Sequence, residues 1–161
     1  MKTSHLSEEQ DKSVKDQVAP SALADIPTLP VEEGIPTRYW HPVKGIQDLV
    51  QGPEWAVYSH MDSVAASQAG GLPVVGNSRE LKITDGGLQC KLNMCKSSVQ
   101  RSRRRLKMLG WIKVIQTGRG PGSSTEYRVY IQEALALSLK VSGCTHYCMR
   151  GERRMLYRAK K

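Results

Sequence analysis

From Lys96 to Arg105 the chain reads Lys-Ser-Ser-Val-Gln-Arg-Ser-Arg-Arg-Arg. These side chains suit contact with a polyanion. Arg offers two parallel N–H donors that match O6 and N7 of guanine, and Gln can pair in the same way with N6 and N7 of adenine. Lys and Ser hold phosphate oxygens, which fixes register without reading sequence. On a helix turning about 100° per residue, Val99, Ser102, Leu106 and Leu109 share one face, and Ser97, Gln100, Arg101 and Arg104 lie opposite. One side can therefore pack while the other carries donors outward. Lys96, Ser97 and Ser98 open the helix, where free backbone N–H groups also attract phosphate.

A second basic stretch follows. Arg119 stands between Gly118 and Gly120 in a Gly- and Ser-rich segment, 117–125, and Lys113 and Arg128 fall on the alternating apolar runs that flank it. Arg119 is suited to a minor groove, where a cation is favoured. Lys113 and Arg128 are suited to backbone phosphates. The stretch Gly118-Arg119-Gly120-Pro121-Gly122 is a poor phosphate-cradling loop, because no Lys-Ser or Lys-Thr follows it and its flanks are both strand-like.

Other reactive side chains are less well arranged. Cys144, His146 and Cys148 have the chemistry of zinc ligands, but a structural site normally takes four ligands in two close pairs, and Cys90 and Cys95 are poorly spaced to complete one. The expectation is incidental thiols, with no metal and no cofactor. His60, next to Asp62, is expected to be a surface or packing residue. No nucleophile stands with a base and an orienting group, and no dinucleotide fingerprint is present, so no catalytic residue is assigned and the chain is expected not to be an enzyme.

The elements that would position these residues are readable from periodicity. Pro53 fits the first turn of a helix over about 53–69, with Val57, Tyr58, Met61, Val64 and Ala65 on one face and Gly70-Gly71 as its stop. A short helix is expected over about 42–51. Leu81 and Ile83 alternate with charged residues as an extended link. Helices over about 85–92 and 96–109 come next, then a hairpin of 111–116 and 126–131 across a long, flexible turn. A final helix is expected over 131–142.

This order, with Leu92-Asn93-Met94-Cys95-Lys96-Ser97-Ser98-Val99-Gln100-Arg101 and Leu106-Lys107-Met108-Leu109-Gly110-Trp111-Ile112, resembles the turn and recognition helix of winged helix-turn-helix proteins: MarR-like and GntR-like regulators, and phage or plasmid replication proteins. The resemblance covers about 50 residues. It implies a mainly α protein with a small β hairpin, an α+β winged helix. It further implies that the 96–109 helix enters the major groove of double-stranded DNA while the wing, about 113–128, lies on the backbone or minor groove. Asn93 stands where such turns usually carry Gly, and Asn tolerates the left-handed backbone. Cys95 stands where a Ser or Thr usually caps the helix. Arg103 takes a position usually held by Leu or Ala, with its stem expected along apolar surface and its charge in water.

Charge supports the same division. Of the 161 residues, 1–89 carry 7 Lys/Arg against 12 Asp/Glu, and 90–161 carry 17 against 3. Such segregation points to a polyanion-binding half joined to a tail or partner region. Three segments are expected: a disordered acidic arm at 1–37 with four prolines, a winged-helix domain at 38–142, and an ill-defined basic tail at 143–161. No apolar run is long enough for a membrane span or signal peptide, so the expected location is the cytoplasm. The expected function is sequence-specific binding of double-stranded DNA in transcription control. A plasmid or phage accessory role in replication, partition or transfer uses the same module. A reading of another class is an interaction adaptor, with a protein partner on the arm. A homodimer through the 53–69 or 131–142 helix is a candidate assembly.

Overall fold

The computed structural model describes residues 25–34, 39–70 and 77–160. Most of the arm assigned to 1–37 lies outside the described residues, as does much of the loop at 72–79.

The first long helix, α1 (Gly52–Gln68), has Pro53 in its opening turn, and the Glu54 carboxylate accepts the Gln51 N–H at 2.5 Å, which satisfies one free donor of that turn. Its apolar face buries Val57, Tyr58, Met61 and Ala65. Ahead of it a single 3₁₀ turn, Ile46–Leu49, replaces the helix expected over 42–51.

Strand β3 (Ser78–Ile83) leads into α2 (Asp85–Leu92), capped by Thr84, whose hydroxyl accepts the Gly87 N–H at 3.0 Å. Asn93 ends α2 with φ 50° and ψ 44°, the left-handed conformation expected of it. After two further residues, α3 (Lys96–Met108) begins. Its buried residues are Val99, Ser102 and Leu106, spaced three and four apart.

Strands β4 (Ile112–Gln116) and β5 (Thr125–Tyr130) follow, and β5 is the centre of an antiparallel sheet ordered β3-β5-β4. Leu81, Tyr127 and Val114 stand in register across it. Trp111, fully buried just before β4, meets Tyr58 edge to face with ring centres 5.1 Å apart. The Tyr58 hydroxyl donates to the Tyr130 carbonyl at 2.7 Å, so this ring packs in the core without stranding its polar end. Helix α4 (Gln132–Ser142) closes this part of the chain with Ala134 and Leu135 in the core.

A second sheet departs from expectation. Its order is β1-β7-β6-β2, from β1 (Val31–Gly34), β2 (His41–Pro42), β6 (His146–Arg150) and β7 (Arg153–Ala159). The basic tail is thus a β-hairpin turned at Gly151 (φ 62°), with Leu156 buried. The end of the arm is built structure too. Val31 pairs in parallel with Leu156, Leu29 is buried, and the buried Ser138 hydroxyl donates to the Pro27 carbonyl. With seven strands in two sheets beside four α-helices among the described residues, the protein is α+β, with more strand than the expected mainly α fold. Among the described residues no helix is long and apolar enough to cross a membrane.

Candidate nucleic-acid interface

With Val99, Ser102 and Leu106 turned inward, α3 presents Lys96, Ser97, Gln100, Arg101, Arg104 and Lys107 to the outside, all of them exposed. Arg103 and Arg105 occupy its two flanks, and both are engaged. Arg103 pairs with Asp85 at 2.6 Å and donates to the Tyr127 hydroxyl, so its charge does not reach open water as expected from the sequence. Arg105 pairs with Glu54 at 2.5 Å and with Glu152 at 3.2 Å, and only 19 % of its side chain is exposed. Arg105, expected with the rest of the 96–105 run to contact a polyanion, is instead held in these two ion pairs. A flanking guanidinium beside a buried carboxylate stays with it, because an isolated buried charge is expensive.

A groove of about 870 Å³ runs between α3 and the 117–125 loop. Lys96, Gln100, Arg103, Arg104 and Lys107 line one wall, and Thr117, Gly118, Gly120 to Ser123 and Thr125 line the other, with Val114 and Tyr127 beneath. Asp85 is the one carboxylate among the lining residues, and Arg103 neutralises it. Lys96, Arg104 and Lys107 make no ion pair with any described residue. Lys107 was not singled out in the sequence. It lies three residues after Arg104, seven after Gln100 and eleven after Lys96, and that stripe is its signal.

The loop is held by its own backbone. Gly120 (φ 91°) and Gly122 (φ 75°) both take left-handed conformations, and the Ser123 hydroxyl donates to the Gly120 carbonyl at 2.7 Å. Arg119, between Gly118 and Gly120, is exposed but is not one of the residues that line the groove. Lys113 and Arg128 are not brought to the groove. They stand in register with Glu80 across β4, β5 and β3, one residue out of step with Val114 and Tyr127, and therefore on the opposite face of the sheet. There Lys113 lies over the Tyr130 ring at 5.4 Å and Arg128 stands 3.9 Å from Glu80.

At the start of α3 the Cys95 sulfur lies 3.2 Å from the Ser97 hydroxyl and 3.1 Å from that of Ser98. The Ser97 hydroxyl first, then Ser98, stabilise the thiolate and bring the pKa down to about 7. Cys144 is the opposite case, buried and with its thiol pushed up by that burial. Its sulfur turns to the His146 carbonyl, and the His146 Nδ1 lies 2.9 Å from the Thr145 hydroxyl. Among the described residues no three His, Cys, Asp or Glu side chains gather closely enough to hold a metal ion.

No protein-family model matches this chain, and no curated protein matches it.

Proposed function

We propose that the protein is a winged helix-turn-helix that binds double-stranded DNA in a sequence-specific manner, with α3 in the major groove and the 117–125 loop as its wing. The observation that carries this reading is the outward stripe of α3. Lys96, Gln100, Arg104 and Lys107 share one wall of a groove whose single carboxylate is already neutralised. Surface cations on a helix commonly settle against Asp or Glu one turn away, yet α3 contains no acidic residue at all. Arg103 and Arg105 anchor the flanks to Asp85 and Glu54, which fixes the rotation of the helix about its axis. Gln100 and Arg104 are the residues proposed to read base edges. Lys96, Lys107 and Arg119 are proposed to hold phosphates. The chain acts as a DNA-binding protein in transcription control or, with the same module, in replication, partition or transfer of a phage or plasmid.

The test is selection from a pool of random duplexes at about 150 mM salt, where non-specific contacts are already weakened. The Gln100→Ala/Arg104→Ala variant runs beside the wild type. One enriched motif, lost in the variant, supports base reading by α3. Equal capture of all sequences, or enrichment that survives in the variant, overturns it.

A further inference from the structure

The turn between β6 and β7 lies against α3. The Glu152 carboxylate stands 3.4 Å from Arg101 and 3.2 Å from Arg105, while its carbonyl accepts the Gln51 side-chain amide at 2.9 Å. Arg101 and Arg105 are on the side of α3 away from the 117–125 loop. The helix is therefore flanked by two β-turns, one on each side of its outward face. The second turn also carries charge. Arg150 and Arg153 are both exposed, face each other directly across the last register pair of the hairpin, and make no ion pair with any described residue. Like charges directly opposite across two strands repel. Two guanidiniums kept in that position suit a shared anion.

We propose that this turn is a second duplex-contacting arm, in which Arg150 and Arg153 hold phosphates on the rim of the major groove opposite the rim met by the 117–125 loop. The inference rests on the reading of α3 as the helix in that groove. The major groove is about 12 Å wide and is bounded by a sugar–phosphate strand on each side, so a helix lying in it brings flanking turns on both sides toward phosphates. Glu152 holds Arg101 in the free protein. A phosphate would compete for the same guanidinium, and Arg101 would pass from the carboxylate to the duplex. The contact is with phosphate alone and carries no base preference.

The experiment titrates the Arg150→Gln/Arg153→Gln variant of the full chain with duplex over a range of salt, using the selected sequence and a scrambled one. Two lost phosphate contacts lower the slope of log affinity against log salt by about two, and affinity near 150 mM salt falls roughly ten- to thirtyfold on both duplexes. The Arg150→Lys/Arg153→Lys variant keeps most of the affinity, which separates loss of charge from loss of fold. If the Gln variant keeps the wild-type slope and affinity while Gln100→Ala/Arg104→Ala loses binding, the arm is wrong and the reading of α3 stands. If the wild type binds no duplex at all, both fall.

Discussion

Arg105 and Glu54, 51 positions apart in sequence, meet at 2.5 Å, with Glu54 only 3 % exposed. The pair fastens α3 to the first turn of α1. Removing Arg105 leaves the buried Glu54 carboxylate without a counter-charge, with the Gln51 N–H as its remaining hydrogen-bond partner, so Arg105→Ala should cost about 3–5 kcal/mol of stability. Arg105→Met/Glu54→Leu, which removes both charges, should cost much less. Urea denaturation measures both. A loss below about 1 kcal/mol in Arg105→Ala would show that Glu54 reaches water.

Two buried tyrosines set the alkaline limit of the fold. Burial first of all raises the pKa of Tyr58 and of Tyr127 above the usual phenol value. In the unfolded chain both ionise near pH 10, while in the folded protein each gives up its proton only at higher pH. The unfolded state then binds fewer protons, so their contribution to stability is complete below about pH 10 and declines as pH rises beyond it. Tyr58→Phe should flatten that decline. It also takes away the hydroxyl that donates to the Tyr130 carbonyl, at a cost of about 1–3 kcal/mol at neutral pH. Thermal melts from pH 7 to 11 distinguish the two effects, and an unchanged alkaline slope in the variant would exclude Tyr58 as its source.

Local pattern carried much of this structure, and long-range pairing carried the rest. The three-and-four spacing of Val99, Ser102 and Leu106 marks the packed side of α3, because a helix repeats its faces within a few residues. Asn93 is legible as a left-handed stop for a similar local reason. The partners of Arg103 and Arg105 are not legible. Asp85, Tyr127, Glu54 and Glu152 lie 18 to 51 residues away, so the run of arginines does not itself show that its two flanks are engaged. The tail hairpin was hidden by composition. Arg150, Arg153, Arg154 and Arg158 surround short apolar runs, and β7 gains its partners from β6 on one side and from β1, more than 100 residues earlier, on the other. Lys113 and Arg128 show a third limit. Their charge suggests a role beside Arg119, but the two-residue strand period puts them on the opposite face from Val114 and Tyr127.

The four cysteines should differ sharply in reactivity. The Cys95 thiol, exposed and with a pKa near 7, is about half thiolate at neutral pH, whereas Cys144 is buried and protonated there. Iodoacetamide followed by peptide mass spectrometry should modify Cys95 well before Cys144, with a rate that rises through a midpoint near pH 7. A midpoint above pH 8 would mean that the Ser97 and Ser98 hydroxyls do not stabilise the thiolate. A thiol is a weaker helix cap than a hydroxyl, and the Cys95 sulfur makes no capping hydrogen bond of normal geometry, so Cys95→Ser should supply a stronger cap and raise the melting temperature.

Gly118 has no room for a side chain. A Cβ there would collide with the Ser124 carbonyl oxygen and with the Ser123 side chain, and of these the Ser124 carbonyl belongs to backbone that must move as a unit. Gly118→Ala should therefore displace the 117–125 loop from the wall opposite Gln100 and Arg104. The loop is largely exposed and contributes none of the buried core residues, so the melting temperature should change little. Duplex affinity should fall by several-fold, with the enriched motif unchanged, because Gln100 and Arg104, the side chains proposed to read bases, keep their positions on α3. Gly120→Ala provides the comparison. No atom lies within 4 Å of its added Cβ, but φ 91° strains any side chain. Circular dichroism melts and anisotropy titrations of the two variants test this. A Gly118→Ala protein with wild-type affinity would show that the loop does not contribute to duplex binding, and one that loses its motif would show that the loop, rather than α3 alone, reads the sequence.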